Sequence, residues 1–155
     1  MTSEQDLLSA LAKTAFRLNG RLLAVGEELA ASAGLTASLW LVLGSVLDAP
    51  RTVADIARDI GVTRQSAQRT ANLLVERGLA EFKRNPAHRR AKLLEPTRDG
   101  RDAIRRIAPA HAGYATRFVG VIGAEEATRT LDATSALLDA LQRVGLPSED
   151  TELSG

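Results

Sequence analysis

The chain has 155 residues, 45% of them hydrophobic but only 3% aromatic, and a formal net charge of +1. That length suits one compact domain over residues 1–155, with a core of Leu, Ala, Val and Ile that favours packed helices over a large sheet. There is no cysteine, which excludes disulfides, thiolate metal sites and cysteine redox sensing.

The acidic, polar run from Met1 to Asp6 does not read as a signal peptide. The longest apolar stretch, Leu35 to Leu47, falls short of the roughly 20 residues that cross a bilayer. A soluble, cytoplasmic protein with no membrane partner is expected. The small net charge hides an asymmetry. Residues 51–106 hold 14 Lys or Arg against 7 Asp or Glu, whereas the remainder is acidic. A basic middle between acidic ends points to a polyanion-binding segment on a neutral scaffold.

In chain order, the first element is a long helix from about Gln5 to Ala33. Leu7, Leu11, Ala15, Leu18, Leu22, Val25 and Leu29 recur every three or four residues and form one stripe. Gly34 ends it, and Thr36 can cap a helix carrying Trp40, Val42, Leu43 and Val46. After the turn Asp48-Ala49-Pro50, a short helix starts at Thr52, whose hydroxyl and the Asp55 carboxylate have capping-box spacing. Ile56, Ala57 and Ile60 make its inner face, and Gly61 breaks it. Another helix runs from Arg64 to about Arg77 and stops at Gly78. Leu79 to Arg84 and Ala91 to Glu95 then read as a hairpin around the loop Asn85-Pro86-Ala87-His88-Arg89-Arg90. Thr97 can cap a further helix, expected to be interrupted or kinked near Pro109. A final helix follows Gly123, with Ala127, Leu131, Thr134, Leu138 and Leu141 in register, and the polar tail after Pro147 should fray.

Val53 to Arg77 is the most informative stretch. Two short helices meet at Gly61, with small Ala57 permitting a close crossing and Val62 placed to staple onto Ala67. This is the layout of a helix-turn-helix, whose second helix enters the DNA major groove. At about 100° per residue, Ala67, Thr70, Ala71 and Leu74 share one side of that helix. Gln65, Gln68, Arg69, Asn72 and Glu76 share the other. Forked amides and guanidinium groups pair with adenine or guanine edges. The first turn after Thr63 holds Arg64, Gln65 and Ser66 and no acid, although helix N-termini ordinarily favour Asp or Glu. An external phosphate would complement it. The plain alternative is an amphipathic helix with a solvated polar face.

The hairpin lowers the weight of that alternative. Lys83, Arg84, His88, Arg89, Arg90 and Lys92 crowd it, with no acid between Glu81 and Glu95. Such a cluster repels itself unless a polyanion meets it, and an arginine at a hairpin tip can enter a narrow minor groove. A merely solvated loop is the competing reading. His88 reads as a phosphate or structural contact, not a catalyst.

The runs Thr52–Arg69, Leu74–Leu79 and Asn85–Leu93, with Leu35-Thr36 and Trp40 before them and Thr97 and Gly100 after them, strongly resemble the MarR family of transcriptional regulators over nearly the whole chain. The resemblance implies a mainly α fold, a winged helix-turn-helix with a small β-hairpin wing and long N- and C-terminal dimerisation helices. The DNA-binding part would be residues 35–100, and the dimerisation helices residues 1–34 and 101–147. It further implies a homodimer that regulates transcription, with repression favoured over activation but neither fixed by the sequence, by binding a pseudo-palindromic operator in double-stranded DNA. The helix at 64–77 would read the major groove and Arg90 would enter the minor groove. Family members often carry Asp two residues before that arginine, where this chain has His88.

The apolar stripes on the terminal helices read as dimer surfaces, or else each covers a small core of its own. Two-fold symmetry would let the helix pair span half-sites roughly 34–36 Å apart. Family members frequently bind small aromatic or phenolic anions between the dimerisation and DNA-binding parts. Arg17, Trp40, His111 and Tyr114 are the candidates to line such a cleft, although Trp40 and Tyr114 read more readily as core residues.

No cofactor or metal is expected, since two distant histidines without cysteine make no ligand set. An enzyme is disfavoured. There is no Gly-rich phosphate loop and no recognisable nucleophile motif, and the pairs Glu27-Glu28 and Glu125-Glu126 point about 100° apart on their helices. The remaining alternative is a winged-helix protein–protein module without sequence-specific DNA binding, which would not need the excess of arginine.

Overall fold

The computed structural model describes residues 3–147, so the expected fraying of the tail lies outside the described residues. In chain order the elements are α1 (Glu4–Ala31), α2 (Ala37–Gly44), β1 (Arg51–Thr52), α3 (Val53–Ile60), α4 (Arg64–Glu76), β2 (Ala80–Lys83), β3 (Leu93–Pro96), α5 (Arg98–Ile122) and α6 (Ala124–Val144). The architecture is mainly helical with one small antiparallel sheet, as the sequence implies.

Threonine hydroxyls start the inner helices. Thr36, Thr52, Thr63 and Thr97 accept from the backbone N–H of Leu39, Asp55, Ser66 and Gly100 at 3.1–3.2 Å. Each such cap contributes about 1 kcal/mol. The full reciprocal box forms at α1, between Ser3 and Asp6. At Thr52 only half of it forms, because the Asp55 carboxylate also meets Arg58 and Thr52 belongs to β1 as well. Hydrogen bonding from the Thr52 side chain, then the Arg58 guanidinium, holds the Asp55 carboxyl below its ordinary pKa.

Helix ends are equally local. Gly78 takes φ 71°, a conformation open to glycine, and lets Leu79 N–H reach back to Leu74 O at 2.9 Å. Gly61 does the same for α3, with Val62 N–H on Ala57 O at 3.1 Å.

The expected hairpin needs correction in two respects. β2 is shorter than Leu79–Arg84, its start set back because Leu79 N–H is spent closing α4, and β3 starts two residues after Ala91 and runs one residue past Glu95. It is also part of a three-stranded sheet of order β1-β3-β2, in which Arg51 and Thr52 pair with Leu94 and Leu93. In the β2–β3 register Glu81 stands opposite Glu95, a like-charge pair that destabilises a sheet. Lys83 offsets it. Its Nζ lies 3.1 Å from Glu81, whose hydrogen bond and charge raise the Lys83 pKa, with Glu95 adding to the shift.

α5 runs unbroken through Pro109, so the interruption expected as one of two outcomes there does not occur. Pro109 lies on the exposed side, where the Arg105 carbonyl it leaves unpaired can face water. The turns on both sides are held. Ala103 and Ile107 are buried before it, and His111 meets the Trp40 ring after it.

The described residues divide into two compact units, one up to His111 and the other from Ala112 onward. In the first, Leu39, Val42, Leu43, Ile56, Leu74, Leu94 and Ile107 are almost fully buried, with alanines filling between them, and no polar or charged residue among those described is buried. Burial contributes about 1.5–3 kcal/mol for each large aliphatic side chain. Gly100 lets the start of α5 reach this core: a Cβ there would sit 2.0 Å from the Leu79 carbonyl oxygen. In the second unit, α6 has no buried residue. Among the described residues no helix is long and apolar enough to cross a membrane.

Candidate nucleic-acid interface

The two sides of α4 separate as the periodicity requires. Ala67, Ala71 and Leu74 are buried and Thr70 is half-buried. Arg64, Gln65, Ser66, Gln68, Arg69, Asn72 and Glu76 are exposed. Three buried positions pin the helix, so its outward row is presented by a rigid support. Thr63 is exposed too, but its hydroxyl oxygen is occupied by the Ser66 N–H. No acid stands in the first turn of α4, whereas Asp55 stands in that of α3. The start of α4 therefore lacks the negative charge that its backbone N–H groups favour.

The wing carries Arg84, His88, Arg89, Arg90 and Lys92, all exposed. Its tip is ordered by Asn85: Oδ1 accepts from Ala87 N–H at 3.0 Å and the Asn85 carbonyl accepts from His88 N–H at 3.3 Å. With Pro86 second in the turn, this is the residue set of a tight β-turn. His88 provides no carboxylate for Arg90, and the turn is held by Asn85.

Helix and wing meet. A cleft of about 270 Å³ is lined by Arg64 and Gln68 from α4, Arg90, Ala91 and Lys92 from the wing, Phe82 from β2, and Thr52, Val53 and Ala54 around the start of α3. Three cations and no carboxylate line it. Sequence reasoning missed the contributions of Thr52, Val53, Ala54 and Phe82, which follow from β1 joining the sheet and carry no signal of their own. It also missed Asn85, which the Asn-Pro pair could have signalled.

The distribution of ion pairs sharpens the picture. Arg51, Arg58, Lys83 and Arg105 each meet a carboxylate. Arg77 and Arg101 donate to the carbonyls of Gly34 and Leu47. Arg64, Arg69, Arg84, Arg89, Arg90 and Lys92 have no ion pair or side-chain hydrogen bond among the described residues. Elsewhere Lys13, Arg17, Arg21, Arg98, Arg106 and Arg143 also show none among the described residues, but between residues 51 and 92 the cations without such a partner are those of the outward helix row and the wing. Such an arrangement can neutralise a polyanion without first breaking internal pairs.

Of the candidates for a ligand cleft, Trp40 and His111 come together edge to face, with ring centroids 5.2 Å apart. Trp40 is half-buried and His111 exposed. Tyr114 lies under the Arg117 guanidinium, 5.5 Å from the ring centre. Arg17 is exposed on α1.

Comparison with known proteins agrees with this geometry. The MarR family model matches residues 33–91, from the end of α1 through the wing. The uncharacterized protein Rv2011c of Mycobacterium tuberculosis is 36% identical over 137 residues, covering 88% of this chain and 96% of its own. The transcriptional repressor CouR, solved bound to a 23-mer DNA duplex, superposes with a TM-score of 0.72 at 24% identity, over 89% of this chain and 99% of that one. Staphylococcus aureus MarR, solved with salicylate and kanamycin, superposes with a TM-score of 0.71 at 18% identity, over 93% and 99% of the two chains. The structural likenesses establish a shared fold. With a relative matched almost end to end and the family model lying across the helix pair and wing, this chain belongs to the MarR family.

Proposed function

We propose that the protein is a transcriptional repressor that binds a pseudo-palindromic operator in double-stranded DNA as a homodimer, within the cytoplasm. The observation that carries this reading is the cleft where Arg64 and Gln68 of α4 meet Arg90 and Lys92 of the wing, with every lining cation unpaired. In this reading the outward row of α4, residues 64–72, takes the major groove. Arg90 takes the minor groove, and Arg84, His88, Arg89 and Lys92 take phosphates. CouR, with the same fold, was solved on duplex DNA, which supports the reading. A protein–protein module would have no use for six uncompensated cations. Residues 35–100 are the DNA-binding part, and α1 with the helices of residues 101–147 forms the dimer surface. Their exposed apolar side chains, such as Leu22 at 60% and Leu131 at 66%, support that assignment.

A salt titration of duplex binding tests the core claim. Each phosphate neutralised adds about −0.9 to the slope of log K against log salt, so binding should weaken steeply, and Arg90→Ala should lower affinity while the thermal melt is unchanged. A flat salt dependence, or an Arg90→Ala variant of full affinity in low salt, rejects the interface.

A small aromatic anion is the proposed effector, bound beside Trp40 and His111 with Arg17 in a supporting role. S. aureus MarR was solved with salicylate, and the Trp40–His111 edge contact offers an aromatic surface. Trp40 is the chain's single tryptophan, so titration with salicylate should change its fluorescence and lower duplex affinity in parallel. Emission that does not respond at millimolar salicylate counts against this site.

A further inference from the structure

On the outward row of α4, Gln68 Nε2 donates a hydrogen bond to Asn72 Oδ1 at 2.9 Å. The two residues are four apart, the spacing at which helix side chains meet, and both are exposed. No other side-chain hydrogen bond joins two residues of this row among the described residues.

The bond restricts what Gln68 can offer a base. A glutamine amide has two N–H donors and one carbonyl acceptor. With one N–H committed to Asn72, Gln68 retains one donor and one acceptor side by side. Adenine presents the complement in the major groove, N7 to accept and N6–H to donate, whereas guanine presents two acceptors, N7 and O6. An untethered glutamine could turn both N–H groups toward guanine. The tethered one would place its carbonyl oxygen against O6, where two acceptors repel.

We infer that Gln68 is a base-reading residue selecting adenine over guanine in each operator half-site, and that Asn72 is the positioning residue that makes it selective. The inference rests on the DNA-binding reading above and specifies it. Gln68 lies in the N-terminal half of α4, the half that reaches base edges when such a helix docks. Asn72 lies one turn further along and acts through Gln68.

The test is selection by the full-length protein from a pool of randomised duplexes. Affinities of variants are then measured on the selected duplex and on copies carrying single A-to-G changes. At one adenine per half-site, wild type should prefer adenine over guanine on the order of ten- to a hundredfold. Gln68→Ala should abolish the preference at that step alone. Asn72→Ala should collapse the adenine-over-guanine ratio at the same step while leaving the preferences at the other steps of the half-site in place. Asn72→Asp, which keeps an acceptor for the Gln68 N–H, should preserve the ratio although its charge lowers affinity for every duplex. Both positions are exposed, so melting curves should match wild type.

If wild type selects no sequence, the DNA-binding reading itself fails and this inference falls with it. If wild type selects a sequence but Gln68→Ala retains its full preference, or the step Gln68 reads is not adenine, the base assignment is overturned. If Asn72→Ala keeps the full ratio, the positioning role is overturned.

Discussion

The winged segment and the terminal helices solve the burial problem in opposite ways. From α2 to β3 the apolar side chains close on one another: Leu39, Leu43, Ile56, Leu74 and Leu94 are at most 1% exposed. What remains outside is mainly polar, with Leu41, Val62 and Leu73 as the exposed large apolar side chains. Along most of α1 and all of α6 the helical pattern is just as regular, yet Ala30 is the single buried residue on the two helices among those described. Phe16 is 79% exposed and Leu138 57%. Large exposed apolar patches are rarely left open on a monomer. The same periodicity thus yields a closed core in one region and, on each terminal helix, an exposed apolar face, which the proposed homodimer would cover.

The largest effect is expected where that comparison is most direct. Leu131→Asp combined with Leu138→Asp removes two leucines from each of two protomers. At about 1.5–3 kcal/mol apiece this is on the order of 6–12 kcal/mol of association energy. Sedimentation at micromolar concentration should show a monomer, and a persisting dimer would remove α6 from the interface. Leu74→Ala, inside the winged core, should cost about 2–5 kcal/mol of stability and lower the melting temperature. Its oligomeric state should follow wild type at temperatures where it remains folded. Were the dimer to dissociate first, the two regions would not be separable in the way drawn here. The smallest effect belongs to the polar row. Arg69→Ala should leave folding and assembly untouched and cost about 1–3 kcal/mol of discrimination between operator and random duplex. Undiminished discrimination would take Arg69 out of base reading.

Much of the winged segment is legible residue by residue because its signals are local. A threonine cap, a glycine with positive φ and a row of small apolar residues each act within one or two helical turns. That is why the ends of α3 and α4 fall where Thr52, Gly61, Thr63 and Gly78 place them. The misread features depend on distant partners. β1 is two residues long, too short for any alternation, and exists because Leu93 and Leu94 of β3 are there to pair with it. Pro109 carries a local signal for interruption that loses to the anchoring of Ile107 before it and His111 after it. The half-formed box at Thr52 likewise reflects competition from Arg58 and β3 for groups that the motif alone would pair.

For the candidate site the division is similar. The amide-and-arginine row on α4 and the cation-rich wing are properties of order and spacing, because helix geometry alone sorts residues 64–76 into two sides. That Arg64 and Gln68 share a cleft with Arg90 and Lys92, and that the wing's cations stay unpaired while their neighbours find carboxylates, was decided only by packing. Those relations join residues more than twenty positions apart, and only the chain's return through β3 brings them together. The sequence by itself determined which surfaces are polar and which are apolar; tertiary structure decided which of them face one ligand, since charges act through distances that no linear pattern contains.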